Sequence, residues 1–321
     1  MPKHVIEVFE HEVLRIGERG FLRSHWQSFV KLNELHNGQY FEVLHNGLRF
    51  KQFVGVVQSG DILVQIHPKA DREAEGTQWK GVLLQMLKAC GKLRAQDLGN
   101  ASLRKQNINL LEVYFEQYLS EIELLLHQGL IKRYRQQEGN LTALKGKLQF
   151  ASNIRHNLVH QERFYTQHSV YDRDHKLHQI LASALEVVNL FSRATPLNYR
   201  CRKVQLDFPE VRSYQPKSSE LNKFHLDRKA APYQKAFELA RFILLHYSPD
   251  IHFGKENMIA LLFDMNVLWE QYVLKQLKSV SEKFDMQVNG QWSKFFWSHR
   301  QIRPDIVLEM DQETIVVDTK W

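Results

Sequence analysis

The sequence predicts an α+β multidomain protein, with a β-rich N-terminal domain (1–75), a mainly helical, basic middle region (76–250) and a C-terminal α/β domain (251–321). Three observations support this prediction. Short apolar runs separated by glycine-containing turns dominate the first seventy residues. Apolar residues recur at helical spacing from about Gln78, and short apolar runs typical of strands return near the C-terminus. A chain of 321 residues can form two or three domains of ordinary size.

Two β-hairpins are predicted in the N-terminal domain. The segment 40–50 carries Asn46-Gly47, a dipeptide typical of two-residue hairpin turns. The apolar segments 53–57 and 62–66 are separated by a second turn and are followed by Pro68, which ends the run. Several short strands joined by tight turns are typical of a small barrel or a sandwich.

Helical periodicity dominates the rest of the chain. The spacing of apolar residues predicts helices at about 78–87, 110–127, 174–192 and 231–247. Between the last two, Pro196, Pro209 and Pro216 predict irregular chain. In the C-terminal domain we expect a helix from Met258 to about Val280, a strand at 292–297, and two final strands at 303–308 and 314–317.

The composition excludes several classes of protein. The hydrophobic content of 43% and the charged content of 25% are ordinary for a globular protein. No apolar run approaches the roughly 18–20 residues that span a bilayer, and the N-terminus lacks the apolar core of a signal peptide, so we expect no membrane partner. Only two cysteines occur, Cys90 and Cys201, so no disulfide framework is predicted and the cytoplasm is the expected location.

Positive charge is concentrated in the middle of the chain. The net charge is +7, whereas residues 193–241 alone hold eleven Lys/Arg against five Asp/Glu, and residues 128–163 hold seven against two. A basic centre suits a polyanion such as DNA. The alternative is a solvated basic surface that binds nothing.

Acidic residues flank the two final apolar strands. Arg303-Pro304-Asp305 precedes the apolar run 306–308, and Asp318-Thr319-Lys320 follows the run 315–317. This Pro-Asp … Asp-x-Lys pattern is typical of metal-dependent nucleases, although it also occurs by chance. The alternative is a surface hairpin with polar ends.

The residue types of this pattern match the chemistry of phosphodiester hydrolysis. The reaction uses a divalent cation that polarises the phosphate and lowers the pKa of a water molecule. Mg²⁺ prefers carboxylate oxygens, so Asp305 and Asp318 are the candidate metal ligands. Residues two apart on a strand share a face, so Lys320 would lie beside Asp318, orient the attacking water and offset charge on the phosphate.

A third acid, Glu270, is a candidate catalytic residue and metal ligand. In the predicted C-terminal helix it falls on an apolar stripe that contains Phe263, Val267, Leu274 and Leu277. An ionised carboxylate on such a stripe is costly unless it is paired or binds a metal. The alternative is a glutamate at the edge of the stripe that reaches solvent.

Other candidate sites are weaker. The pairs His156/His160 and His175/His178 have helical spacing, but sixteen histidines produce such pairs by chance and no zinc-protease glutamate follows His156. Gly139 … Gly146-Lys147 departs from the phosphate-binding loop, because six residues separate the glycines and Leu148 replaces the Ser/Thr. We therefore do not expect the chain to hydrolyse nucleotides itself.

Four segments resemble a known family. They are 54–57 with Ile66-His67-Pro68-Lys69, 144–148 with Asn153, 263–273, and Arg303-Pro304-Asp305 with Val317-Asp318-Thr319-Lys320-Trp321. Together they resemble McrC, the family of nuclease subunits of McrBC modification-dependent (5-methylcytosine) restriction systems. The last two segments are fairly specific in combination.

The resemblance implies both a fold and a partner. It implies a C-terminal PD-(D/E)XK nuclease domain with Asp305, Asp318 and Lys320 as catalytic residues, and Glu270 as an additional helix acid. The implied partner is an McrB-like AAA+ GTPase ring, which binds GTP and recognises and translocates modified double-stranded DNA; the expected modification is methylation. In this family the N-terminal part inserts into the ring and stimulates GTP hydrolysis, a role that residues 1–70 would take.

The position of Trp321 departs from the family pattern. The nuclease fold normally continues with at least a helix and a strand, so we expect the nuclease domain to be incomplete at its C-terminus or completed by another element. Ile315 and Val316 would then lack packing, and the chain by itself would be inactive if truncated. The alternatives are a non-catalytic GTPase-activating and DNA-binding scaffold, or a PD-(D/E)XK nuclease of another defence system.

Overall fold

The computed structural model describes residues 4–72, 78–93, 110–193, 195–248, 257–281, 284, 286–290, 294–297, 300–302, 304–310 and 313–321. The chain forms two compact units, 1–114 together with 246–321, and 115–245. The predicted first and last domains therefore contribute to the same unit. The second unit comprises most of the predicted middle region.

Strands and helices alternate along the whole chain. The strands are β1 (His4–Phe9), β2 (Val13–Arg15), β3 (Phe41–Leu44), β4 (Gly47–Phe50), β5 (Phe53–Ser59), β6 (Ile62–His67), β7 (Arg133–Leu141), β8 (Lys147–Leu148), β9 (Phe164–Asp172), β10 (Tyr247–Ser248), β11 (Met258–Asp264), β12 (Gln287–Gly290), β13 (Lys294–Trp297), β14 (Arg300–Ile302), β15 (Ile306–Met310) and β16 (Glu313–Val317). The helices are α1 (Arg23–Leu35), α2 (Gln78–Ala89), α3 (Leu110–Gln128), α4 (Phe150–Asn157), α5 (Lys176–Phe191), α6 (Pro196–Asp207), α7 (Ser218–Lys223), α8 (Gln234–Leu245) and α9 (Met265–Ser281).

A five-stranded sheet forms the centre of the first unit, in the order β1-β6-β5-β11-β10. β1 runs parallel to β6, and the other neighbours are antiparallel. β5 and β6 are apolar and buried on both faces, as is typical of central strands. Gly55 has φ +139°, and a β-carbon there would overlap the carbonyl oxygen of Leu261, so only glycine allows β11 to approach β5 this closely.

Both predicted N-terminal hairpins are confirmed. β3 and β4 pair across the turn that contains Asn46, and β5 and β6 pair across the turn at Gly60. β2 joins the first hairpin to make the sheet β2-β4-β3. Residues from both sheets share one hydrophobic core with helix α1, whose Phe29 and Leu32 are buried. α1 is an element that the sequence analysis missed.

The helix predicted from Met258 is wrong over its first seven residues. Residues 258–264 form the buried strand β11, and the helix α9 begins only at Met265. The carboxylate of Asp264 marks the change, because it accepts hydrogen bonds from the N–H groups of Asn266 and Val267. A short apolar run has no periodicity that separates a buried strand from a buried helix, which explains the error.

The C-terminal strands are confirmed and are joined by others. β15 lies between β12 and β16 in a three-stranded sheet, and β13 pairs with β14. α9 packs on β12, where the Leu274 side chain fills the space that a β-carbon on Gly290 would need. Arg303 and Trp292, which the sequence analysis included in its strands, lie outside the described residues.

The second unit is mainly helical, as predicted. Its core includes α5, whose Leu181, Ala184 and Val188 are fully buried and which packs on α6 and α8. It also contains the sheet β7-β9-β8, which the sequence analysis missed because these strands are largely polar. The irregular chain predicted at Pro196 is wrong: this proline starts α6, where its missing N–H costs nothing.

Among the described residues, no helix combines the length and apolar character needed to cross a membrane.

Candidate active site

The two predicted acids lie at the same end of a β-hairpin. Asp305 immediately precedes β15, whose Ile306 and Val307 are fully buried, and Asp318 immediately follows β16. The strands are antiparallel, with Ile306 opposite Val317. Continuing this register by one residue places Asp305 opposite Asp318, so the hairpin brings together the two acids that are thirteen positions apart.

Asp305 is held by the residue that follows Asp318. Its Oδ2 accepts hydrogen bonds from the backbone N–H of Thr319 at 2.8 Å and from the Thr319 hydroxyl at 2.9 Å. The backbone hydrogen bond lowers the pKa of the Asp305 carboxyl most, burial opposes it, and the Thr319 hydroxyl and the Asp318 side chain lower the pKa further. Asp305 is therefore an ionised carboxylate at neutral pH, the form that a metal ligand needs.

The segment 318–320 alternates in exposure. Asp318 and Lys320 are exposed, whereas Thr319 between them is half-buried and bonded to Asp305. The alternation agrees with the expectation that the acid and the lysine share a face. Within the described part of the chain the Lys320 side chain makes no hydrogen bond or ion pair. Its ammonium group is thus available to an anion.

Glu270 lies on α9 and is half-buried. The predicted apolar stripe is wrong in its first members, because Phe263 belongs to β11 and Val267 is 48% exposed, while Met265 and Leu268 are buried instead. Across the described residues, no three His, Cys, Asp or Glu side chains form a group that could hold a metal ion. The structure thus brings Asp305 and Asp318 together and does not add Glu270 to them.

A carboxylate pair is nevertheless a donor set that suits Mg²⁺. This cation is commonly bound through one or two carboxylates, keeps several water molecules and takes further ligands from substrate phosphates. Asp305 and Asp318 supply two hard oxygen ligands of this kind. The residues present therefore fit the cation that the sequence analysis predicted.

Trp321 is a neighbour of the site that the sequence analysis did not single out as functional. Its indole N–H donates to Oε2 of Glu10 at 2.9 Å, and its main-chain oxygen accepts a hydrogen bond from Nζ of Lys69 at 2.7 Å. Its ring lies 5.5 Å from that of Trp269, the residue before Glu270. The signal in the sequence was the Pro68-Lys69 pair, which contributed to the family resemblance but had no role assigned.

The weaker candidates have structural partners. The His156 ring stacks on Tyr165, and His160 lies 3.3 Å from Glu162. The rings of His175 and His178 lie 3.9 Å apart, and both nitrogens of His178 contact oxygen atoms, those of the Arg173 carbonyl and the Tyr233 hydroxyl. Gly139 lies inside β7 and Gly146 directly precedes β8, so this glycine pair belongs to a sheet.

The side chains of β16, the strand that ends just before Asp318, are largely exposed to solvent. Ile315 is 42% exposed and Val316 is 61% exposed, as the sequence analysis expected. β16 pairs only with β15 among the described strands, so its outer edge is open. An exposed apolar edge strand of this kind is a surface on which another element can pair.

Comparisons with solved structures show which fold the chain shares. The chain superposes on a refined half-complex from a tetradecameric assembly of Thermococcus gammatolerans McrB AAA+ hexamers with bound McrC, with a TM-score of 0.70 and 20% identity, covering 99% of this chain and 80% of that chain. It also matches the cryo-EM structure of the Thermococcus gammatolerans McrBC complex, with a TM-score of 0.61 and 20% identity, covering 85% and 87%. At this identity these matches establish the fold.

The sequence itself carries the family assignment. No curated protein matches the chain. The family described as McrBC 5-methylcytosine restriction system component matches residues 48–321, which is well over half of the chain and includes the strands of the candidate site. The resemblance seen in the four sequence segments is thereby confirmed, and the chain belongs to the McrBC 5-methylcytosine restriction system component family.

Proposed function

We propose that this chain is the Mg²⁺-dependent DNA endonuclease subunit of an McrBC-like restriction system. The observation that carries the proposal is the hairpin end where Asp305 and Asp318 meet, with Lys320 two residues further on. Two acids and a lysine in this order match the acid-acid-lysine set of PD-(D/E)XK nucleases. The proposed fold of residues 251–321 is of that type, and the proposed location is the cytoplasm.

Each side chain has a defined task in this proposal. The carboxylates of Asp305 and Asp318 bind Mg²⁺, which when bound polarises the phosphodiester and favours ionisation of a water. Thr319 keeps Asp305 ionised and oriented through two hydrogen bonds. Lys320 holds its ammonium beside the scissile phosphate and offsets the charge that develops during hydrolysis. Glu270 remains a predicted additional ligand.

The proposed partner is an McrB-like AAA+ ring that binds GTP. Both matched structures contain McrB assembled with McrC, which supports a partner of that kind for this chain. We further propose that the chain stimulates the GTPase of the ring through its N-terminal β-rich residues. The proposed substrate is double-stranded DNA that carries methylcytosine.

A second candidate, a GTPase-activating and DNA-binding scaffold without catalysis, is favoured by the second unit. Helix α4 and the residue after it expose Phe150, Ile154 and Leu158, at 73%, 64% and 73%, four positions apart on one helical face. The basic side chains of Lys147 and Arg155 are exposed in the same segment. An apolar row beside basic residues is typical of a binding surface and requires no catalysis.

The test combines the chain with its AAA+ partner, GTP, Mg²⁺ and plasmid DNA that is either methylated or unmethylated. Cleavage of the methylated plasmid alone is the expected result. Stimulated GTP hydrolysis without cleavage would favour the scaffold. Equal cleavage of both plasmids would favour a nuclease of another defence system, and cleavage without GTP or partner would contradict the proposal.

A further inference from the structure

Glu10 is a buried carboxylate that joins two distant parts of the chain. It follows β1, is 2% exposed, and its Oε2 accepts hydrogen bonds from the backbone N–H of Lys69 at 2.8 Å and from the indole of Trp321 at 2.9 Å. β1 and β6 are parallel neighbours, with Phe9 opposite His67, so Glu10 and Lys69 both lie where these strands end. Trp321 is thereby bonded to the edge of the N-terminal sheet.

Trp321 is held at its main chain as well as at its side chain. Nζ of Lys69 donates to the main-chain oxygen of Trp321 at 2.7 Å. The indole ring also packs on Trp269 of α9, with the ring planes tilted by 56°. Three different elements of the first unit therefore fix the position of this one residue.

Burial of the Glu10 carboxylate is costly, which points to a role beyond filling space. Its Oε1 is buried and has no hydrogen-bond partner in the described part of the chain. A carboxylate with an unpartnered oxygen in the interior is unfavourable unless the remaining bonds compensate for it. The two bonds at Oε2 are charge-assisted, and one of them goes to Trp321.

These contacts enclose the predicted catalytic lysine on both sides. Thr319, one residue before Lys320, is bonded to Asp305, and Trp321, one residue after it, is bonded to Glu10 and Lys69. The main chain of Lys320 is therefore fixed at both neighbours while its side chain is exposed. A fixed main chain restricts where the ammonium can reach, as a charge-stabilising group requires.

We propose that Glu10 and Lys69 are positioning residues that act through Trp321 to hold Lys320 against the scissile phosphate. The proposal rests on the proposed nuclease function and deepens it, because it links the N-terminal sheet to the catalytic segment. It also gives a structural role to Pro68-Lys69, to which the proposed catalytic mechanism assigns none. Neither residue touches the reacting atoms.

The test compares three variants of the full chain. Glu10→Leu removes both hydrogen bonds at Oε2, Glu10→Gln keeps a side-chain oxygen that can accept them, and Trp321→Phe removes the indole N–H while it keeps an aromatic ring. Amide hydrogen exchange of the peptide 313–321 measures the anchoring directly. Turnover on methylated plasmid and stimulation of the partner's GTPase are measured on the same samples.

We expect exchange in 313–321 to become about 10-fold faster in Glu10→Leu and Trp321→Phe, which is the scale of one lost charge-assisted hydrogen bond. Turnover falls by a similar factor in both variants, with the KM for DNA unchanged. Trp321→Phe, which lies outside the N-terminal residues proposed to stimulate the partner, also keeps the wild-type GTPase stimulation. In Glu10→Gln, the exchange rate of 313–321 and the turnover should both stay close to the wild-type values. If Glu10→Leu fails to fold, which circular dichroism will show, Trp321→Phe still provides the comparison.

Two results would overturn the proposal. One is unchanged exchange in 313–321 in both disruptive variants. The other is a Glu10→Gln variant as impaired as Glu10→Leu, because the side-chain oxygen would then have no positioning role. The exchange measurement does not depend on cleavage. A wild-type protein that never cuts DNA would contradict the proposed nuclease function, while hydrogen exchange would still test whether Glu10 holds Trp321 in place.

Discussion

The backbone N–H and the hydroxyl of Thr319 both donate to the same oxygen of Asp305. This pair of bonds joins the residue after Asp318 to the residue before β15, and so it closes the open end of the hairpin at the candidate site. The bonds lower the pKa of Asp305 and fix the position of its Oδ2. Thr319, which lies between Asp318 and Lys320, therefore orients Asp305 on the neighbouring strand.

Replacement of Thr319 by valine should shift the pH dependence of cleavage. The variant loses the hydroxyl bond and keeps the backbone bond, so the pKa of Asp305 rises part of the way to its ordinary value. Because the ionised carboxylate is the active form, the acid limb of the pH–rate profile should move to higher pH. Thr319→Ser, which keeps the hydroxyl, should retain the wild-type profile; an equal shift in both variants would contradict this role.

Replacement of Lys320 by alanine should remove charge stabilisation without unfolding the protein. The side chain is exposed and makes no ion pair within the described residues, so the melting temperature should stay unchanged. Turnover should fall about 100- to 1000-fold, the usual loss when one charge-stabilising group is removed. Lys278→Ala, at an exposed position near the end of α9, is the matched control. A comparable loss in both variants would argue for a general electrostatic effect instead.

Gly55→Ala should destabilise the first unit. Gly55 has φ +139° and lies against the carbonyl of Leu261, so a β-carbon would strain the backbone and separate β5 from β11. We expect a loss of about 1–3 kcal/mol in the free energy of unfolding, measured by urea denaturation. Gly139→Ala in β7 has open space around its β-carbon and should cost much less. Equal losses of unfolding free energy in the two variants would show that β11 can move away from β5 without cost.

His178 should make the second unit less stable in acid. Burial, with a smaller contribution from the nearby His175, lowers the pKa of His178 from 6.5 to about 4. Between pH 6.5 and about 4, His178 is protonated in the unfolded chain but stays neutral in the folded chain. Its contribution to the free energy of unfolding is therefore complete above about pH 6.5 and is lost as the pH falls towards 4. The expected loss is about 3 kcal/mol at most.

The measurement for His178 is the free energy of unfolding between pH 7 and pH 4. His178→Gln should flatten the dependence, since glutamine does not titrate. His45→Gln changes an exposed histidine and should leave the slope as in the wild type. A slope that survives in His178→Gln would assign the acid sensitivity to other groups.

Local signals in the sequence predicted the elements that depend on local chemistry. The Asn46-Gly47 dipeptide located a real hairpin, although the turn residues are His45 and Asn46 and Gly47 is the first residue of β4. Asp305 and Asp318 could be paired in advance because two adjacent apolar strands with a short connection almost always form a hairpin.

Elements set by distant contacts could not be predicted in this way. β11 is a strand because it pairs with β5, which lies far earlier in the chain. Its apolar residues would suit a helix equally well. β7 and β9 pair through largely polar residues that carry no amphipathic signal. The bonds of Trp321 to Glu10 and Lys69 join opposite ends of the chain, and no local pattern encodes them.

The most direct test of the central claim separates catalysis from activation in one variant. Asp318→Ala is mixed with the AAA+ partner, GTP, Mg²⁺ and methylated plasmid, and cleavage and GTP hydrolysis are measured in the same reaction. We expect cleavage to be abolished while stimulation of the GTPase stays at the wild-type level. Cleavage that persists in this variant would contradict the assignment of the active site, and loss of both activities together would contradict the proposed division of labour.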